Sequence, residues 1–244
     1  MQDSLIYSGW DRVCGLSTCH QMPVATVVFQ QNTPAQSAIL LESGWIKLVR
    51  LEQDGREQIV ALCPPGSLLG AEALIADQSC PTTGITLSRC RFHSIPAPVF
   101  LNWVRTDPQF SWQIHRAFGR RINACKIRSA QLKDLPARLR LEQLLWQLLY
   151  VQNHNTSIND QWGREEKLFL PLQRRELAQM ISVTPEHLSR LLSRMEKDGA
   201  VRREQGWLIV PDPERLWYTP EMHLPTMLDT VQSAAPDLPD LIIA

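Results

Sequence analysis

The chain has 244 residues, 44% hydrophobic and 20% charged, with 25 Lys and Arg balancing 25 Asp and Glu. That length accommodates two domains with separate cores, and the charge balance argues against unspecific nucleic-acid binding through bulk positive charge. No apolar run reaches the roughly 18–20 residues of a membrane helix, so no membrane partner is expected. The start of the chain, with Asp3 and no basic-then-apolar run, does not read as a signal peptide, so a cytoplasmic location is expected. The 6 cysteines (Cys14, Cys19, Cys63, Cys80, Cys90, Cys125) are scattered and argue against a disulfide framework. Charge is uneven: residues 101–160 hold 9 basic against 4 acidic side chains, and residues 221–244 hold 0 against 4.

Residues 24–95 read as short strands. VATVVFQ (24–30), SAILL (37–41), WIKLVRL (45–51) and EQIVALC (57–63) are rich in β-branched and apolar residues. Asp54-Gly55 predicts a hairpin turn between the last two. Gly44, Pro64-Pro65-Gly66 and Gly70 mark further turns. The expectation is an antiparallel roll or sandwich.

Val99, Phe100 and Trp103 predict a short helix that closes near Thr106-Asp107-Pro108. Apolar residues then recur at Phe110, Ile114, Phe118, Ile122 and Cys125, one stripe on a long helix. A basic helix with a narrow apolar seam suits a dimer interface; the alternative is packing on its own domain. Asp134-Leu135-Pro136 breaks the helix, because proline disfavours helix at the residue before it. The next helix, 137–152, carries leucines at 141, 144, 145, 148 and 149.

Residues 168–210 carry the most specific pattern. Leu172 to Ile181 predicts a helix, Ser182-Val183 a turn, and Thr184 the N-cap of a second helix with Pro185 at its first position. Leu188, Leu191, Leu192 and Met195 form its core face, and Asp198-Gly199 ends it. Val201-Arg202-Arg203 and Trp207–Val210 then pair across Glu204-Gln205-Gly206. This is a winged helix-turn-helix, so double-stranded DNA is the expected partner. Such a helix enters the major groove by its N-terminal part. Arg190 can give two bonds to guanine, Glu186 can accept from cytosine, and Ser189 can bond base or phosphate. Thr184, His187, Ser193 and Arg194 are further DNA contacts, and Arg174, Arg175, Arg202 and Arg203 flank the helix as phosphate holders.

Glu186-His187-Leu188-Ser189-Arg190 is similar to the E-x-x-S-R pattern of the Fnr-like branch of the Crp/Fnr superfamily. The likeness covers roughly residues 20–218. It implies an α+β fold: an N-terminal antiparallel β-roll of cyclic-nucleotide-binding type (1–106), a dimerisation helix (107–133), a winged helix-turn-helix domain (134–218) and a tail (219–244). It also implies a homodimeric transcription regulator that reads a near-palindromic site with TTGA-like halves, gated by a signal at the β-roll. RNA polymerase is the further partner an activator would touch, and no segment marks a surface for it.

Gly66-Ser67-Leu68-Leu69-Gly70-Ala71-Glu72-Ala73-Leu74 stands at the family's phosphate-cassette position. The resemblance places an effector region at Gly70, Glu72, Thr82 and Thr83. Glu72 is one place late, and Cys80-Pro81-Thr82-Thr83 has no arginine for a cyclic phosphate, which argues against cyclic AMP. Cys14 and Cys19 lack the spacing of an iron–sulfur sensor. Haem at His20, His93 or His115 is the other alternative, and no cofactor is expected. No P-loop, metal-spaced His/Cys cluster or nucleophile motif occurs, so no metal site and no enzyme are expected. The competing function is an effector-binding protein whose helix-turn-helix serves protein interaction.

Overall fold

A computed structural model describes residues 15–154, 165–204, 207–216 and 242–243. The chain forms two compact units that divide between Cys125 and Lys126. Among the described residues no helix is long and apolar enough to cross a membrane.

The first unit is a β-roll. Its strands are β1 (Thr18–Met22), β2 (Val27–Phe29), β3 (Ser37–Ser43), β4 (Ile46–Leu51), β5 (Glu57–Cys63), β6 (Ser67–Leu69), β7 (Thr83–Thr86) and β8 (Cys90–Pro96). Helix α1 (Ala71–Ala76) follows β6, and α2 (Ala97–Thr106) and α3 (Pro108–Asp134) follow β8. One sheet has the order β1-β8-β3-β6 and the other β2-β7-β4-β5. The four named sequence segments become β2 to β5, and Gly55 takes the positive φ that the hairpin needs. β1, β6, β7 and β8 escaped individual assignment: TCHQM and TGIT lack an apolar run, and SLL is too short to show a period.

β3 explains why the roll has two cores. SAILLES is buried on both faces. Ile39 and Leu41 join Ile46, Leu48, Leu69 and Phe92 in a cluster that unites the two sheets. Ala38 and Leu40 point the other way, into a cluster with Ile95, Phe100 of α2 and Ile114 and Ala117 of α3. Gly44 is required at the β3–β4 turn. It has φ +90, and an added Cβ would lie 2.5 Å from the Arg89 carbonyl oxygen. Gly44→Ala is therefore expected to destabilise the roll by on the order of 1–3 kcal/mol, read as a lower urea midpoint; an unchanged midpoint would show the turn can yield.

The structure divides the seam read on α3. Phe110, Ile114 and Phe118 pack against the roll's own cluster, with Ile114 only 1% exposed. They therefore pack on their own domain, the alternative reading of the seam, with Phe110 and Phe118 still partly exposed. Ile122 and Cys125 are exposed. A second stripe at helical spacing, Trp112, His115, Gly119 and Ile122, is also exposed, with Trp112 at 62% and Ile122 at 55%.

After the end of α3 and Leu135-Pro136, the second unit continues with α4 (Ala137–His154), whose leucines at 141, 144, 145, 148 and 149 are all buried. It continues through β9 (Glu166–Leu168), α5 (Arg174–Met180), α6 (Pro185–Lys197), β10 (Arg202–Glu204), β11 (Trp207–Val210) and a short 3-10 turn (Pro213–Leu216). The wing has a third strand that the sequence did not reveal: β9 pairs with β11, Leu168 opposite Leu208. Gln205-Gly206 at the wing tip lies outside the described residues, as does the tail apart from β12 (Ile242–Ile243), which pairs with β6.

Candidate nucleic-acid interface and effector region

The helix pair is built by local bonds. α5 starts at a capping box: the Gln173 backbone N–H donates to the Glu176 carboxylate at 2.8 Å, and the Gln173 side chain accepts the Glu176 N–H. The helix therefore begins at Arg174, not Leu172, although Leu172 is buried as a core residue. At its far end Ser182 takes φ +55, and Val183 donates to the Ala178 carbonyl at 3.0 Å. That left-handed residue turns the chain sharply into α6.

Thr184 caps α6 by accepting the His187 N–H at 3.2 Å. Thr184→Ala is expected to remove about 1 kcal/mol from the stability of this unit; an unshifted denaturant midpoint would show the cap is dispensable. Leu188, Leu191, Leu192 and Met195 are buried, so the orientation of α6 is fixed from below. Glu186, Arg190, Ser193 and Arg194 are left exposed, with His187 and Ser189 half-buried. The Glu186 carboxyl is held below the usual carboxylate range by its own backbone N–H, then by the Thr184 hydroxyl, with Arg190 adding attraction. It is thus an ionised acceptor at neutral pH. The Ser189 hydroxyl donates to the Pro185 carbonyl at 2.9 Å, so its proton is committed within the helix.

The flanking arginines fall into two groups. Arg174, Arg175, Arg190 and Arg194 are exposed and form no ion pair among the described residues. Arg202 instead pairs with Glu165 at 3.0 Å and Glu204 at 3.3 Å, and Arg203 pairs with Glu196 at 3.1 Å. Such surface pairs are worth roughly 0–1 kcal/mol, so phosphate can displace them. At the other end of α6, Arg138 of α4 bonds both Glu142 and Asp198. Asp198 is the C-terminal cap of α6, and Gly199 follows at φ +69.

In the roll, Gly70 caps α1 in a left-handed conformation at φ +74. Glu72 points inward and meets Arg121 of α3 at 3.3 Å through Oε1. Its Oε2 is buried without a hydrogen-bond partner, as is the Ser67 hydroxyl. Thr82 is buried, and Thr83 spends its hydroxyl on the Gln31 N–H at 2.9 Å. The structure therefore places Glu72 beside a cation from α3 and assigns Thr83 to the sheet. Arg121 and Ser67 were not singled out from the sequence; an arginine some fifty residues downstream gives no local signal. Of the haem alternatives, His20 stacks on Phe92 at 5.3 Å and His115 bonds the Ser111 carbonyl at 2.7 Å within its own helix. Cys14 lies outside the described residues.

Burial pushes the Glu72 carboxyl above its ordinary range, and Arg121 opposes that shift. A carboxyl with a raised folded pKa binds its proton more readily folded than unfolded. Its unfavourable contribution is therefore present above the folded pKa and relieved as pH falls through it. Glu72→Gln lacks this titration, so the stability difference between parent and variant is expected to move in the parent's favour from pH 7 downward. Parallel melting curves from pH 7 to 5 check it; a constant difference would contradict it.

Comparison with known proteins now bears on both regions. Residues 20–107 match the cyclic nucleotide-binding domain family, and residues 139–218 match the Crp-like helix-turn-helix domain family. The chain belongs to the Crp/Fnr superfamily. It is 26% identical over 196 residues to the CRP-like cAMP-activated global transcriptional regulator of Mycobacterium tuberculosis, covering 80% of this chain and 84% of that protein. It is 26% identical to the nitrogen fixation regulation protein FixK of Bradyrhizobium diazoefficiens, with 78% of this chain and 76% of that one covered. The structure of FixK2 from Bradyrhizobium japonicum shares the fold, with a TM-score of 0.70 at 17% identity over 82% of this chain and 96% of that one. Both curated relatives are regulatory proteins, the first of them a transcriptional regulator.

Proposed function

We propose that this Crp/Fnr chain is a homodimeric transcription regulator that reads a near-palindromic DNA site with TTGA-like halves. The observation that carries the reading is the outer face of α6. Its inner face is locked by four buried apolar residues, and its outer face presents the ionised Glu186 one turn from the exposed Arg190. An acceptor and a bidentate donor at that spacing suit a cytosine amino group and a guanine edge. Ser189 lies between them and acts as an acceptor while its hydroxyl donates to the Pro185 carbonyl. Arg174 and Arg175 at the start of α5 hold phosphates first, with Arg202, Arg203 and Arg194 joining once their surroundings meet DNA. Thr184, His187 and Ser193 complete the rim.

Dimerisation falls to the outer stripe of α3, Trp112, Gly119 and Ile122, because the inner stripe is already committed to the roll. The two-fold axis then sets the half-sites about one helical turn apart, roughly 34–36 Å. The signal that gates binding enters at the roll around Gly70, Glu72, Thr82 and Arg121. Cyclic AMP is disfavoured as that signal, because no arginine follows Cys80 at the position for the cyclic phosphate.

Fluorescence anisotropy with a TTGA palindrome and a scrambled duplex, each at several salt concentrations, tests the reading. The palindrome is expected to bind more tightly, and both affinities to fall steeply as salt rises through counterion release. Binding that is absent, or indifferent to salt, would instead favour a helix-turn-helix used for protein contacts.

A further inference from the structure

Three chemically different metal-ligating side chains converge on neighbouring strands of the sheet that contains β3. Cys19 of β1 lies directly opposite His93 of β8, so both side chains leave the same face. Glu42 of β3 sits where the β3–β8 register slips between Leu41 and Ser43. A bulge of this kind re-aims a side chain. Donor atoms of Cys19, Glu42 and His93 all lie within 4.8 Å of one another. We propose that these three residues form a binding site for a divalent transition metal of the zinc class, with a fourth position open to water. The inference stands apart from the DNA-reading proposal, because every ligand lies in the roll.

The imidazole is already held as a ligand would be. His93 is 6% exposed, its Nδ1 is 3.0 Å from the Ser17 hydroxyl, and its Nε2 is 3.3 Å from Glu42 Oε2. In the tautomer with Nδ1–H donating to Ser17, the Nε2 lone pair faces the Glu42 carboxylate and Cys19, the arrangement in which a metal ion would take all three as donors. Metal-bound histidines are oriented through their second nitrogen in this way. Arg91 Nε bonds the same oxygen, Glu42 Oε2, at 2.7 Å and so orients that carboxylate. A carboxylate has about four lone-pair positions, so it can hold a guanidinium and a metal together.

The donor set selects the metal. A thiolate with an imidazole favours zinc or cobalt over magnesium or calcium, which take oxygen alone. Around a tetrahedral zinc with bonds of about 2.0–2.3 Å, donors stand roughly 3.3–3.8 Å apart. The triad must therefore tighten by about an ångström, which rotation of the exposed Cys19 supplies. Binding exchanges the Cys19 thiol proton for the metal and releases it to solvent. No spacing in the sequence could have revealed the site, because each ligand comes from a different strand.

The test titrates Co2+, then Zn2+, into the metal-free, reduced, full-length chain without DNA. One equivalent of cobalt is expected to bind with a thiolate-to-cobalt charge-transfer band, and zinc to displace it. Cys19→Ser is expected to abolish the band. Glu42→Gln and Ser17→Ala are expected to weaken binding by about 10–100-fold. Cys125→Ser, which alters the other exposed cysteine among the described residues, is expected to change nothing. Because His93 is buried and its replacement threatens folding, the exposed Cys19 and half-buried Glu42 carry the decision, with circular dichroism confirming that each variant is folded. Cobalt binding without a thiolate band, or undiminished in Cys19→Ser or Glu42→Gln, overturns the site.

Discussion

Replacing Arg190 with alanine is expected to weaken binding to a TTGA-like palindrome by about 1–3 kcal/mol per half-site. In the proposed two-fold dimer the loss applies twice. The diagnostic feature is its selectivity. Discrimination should relax at one base pair in each half-site, while binding to scrambled DNA changes little. Arg174→Ala should behave oppositely, weakening all sequences alike and lowering the salt slope by roughly 1 per lost phosphate contact. Anisotropy with single-base-pair variants of the site separates the two. If Arg190→Ala lowers affinity equally on every duplex, Arg190 holds a phosphate and the base-reading assignment fails. The expectation rests on Arg190 being exposed and on α6 being anchored independently of it.

Ile122→Glu is expected to disrupt the dimer. Ile122 is 55% exposed in the single chain, so the variant should fold normally. In a two-fold interface the change places two carboxylates against apolar surface near one axis, and each buried unpaired charge costs several kcal/mol. The dimer dissociation constant is expected to rise by at least about 100-fold, some 2.7 kcal/mol. Light scattering should show a monomer at concentrations where the parent is dimeric, and specific DNA binding should fall with it. Phe118→Glu should act differently, by destabilising the roll, because Phe118 packs on the roll's own cluster. A variant at Ile122 that remains dimeric would remove the outer stripe of α3 as the interface.

The winged half of the fold was legible because its signals are local. A cap, a proline at the first helical position, an i, i+3, i+4, i+7 stripe and a terminal glycine all lie within sixteen residues of chain. The structure places each of them, from Thr184 to Gly199, where those signals put it. The roll was legible only in its long apolar strands. β1 and β7 are polar or interrupted and acquire their conformation from partners far along the chain, Cys19 opposite His93 and Val27 opposite Ile85. The stripe on α3 was legible only as a stripe. Periodicity shows that a helix has an apolar face but not what covers it, and here Phe110, Ile114 and Phe118 pack on the chain's own sheet. Side-chain commitments were equally invisible. That Ser189 donates to Pro185, or that Arg202 and Arg203 already hold carboxylates, depends on rotamers and on Glu165, Glu196 and Glu204 arriving nearby.

The bond from Arg138 to Asp198 joins positions 60 residues apart. Both partners are half-exposed, so the pair adds little to stability. Its interest is positional. Arg138 stands in the first turn of α4, two residues past Pro136, and it holds the trailing end of α6. Glu142 stiffens that grip from one turn further along. The start of α4 and the C-terminal cap of α6 are thereby joined directly, although 60 positions of chain separate them.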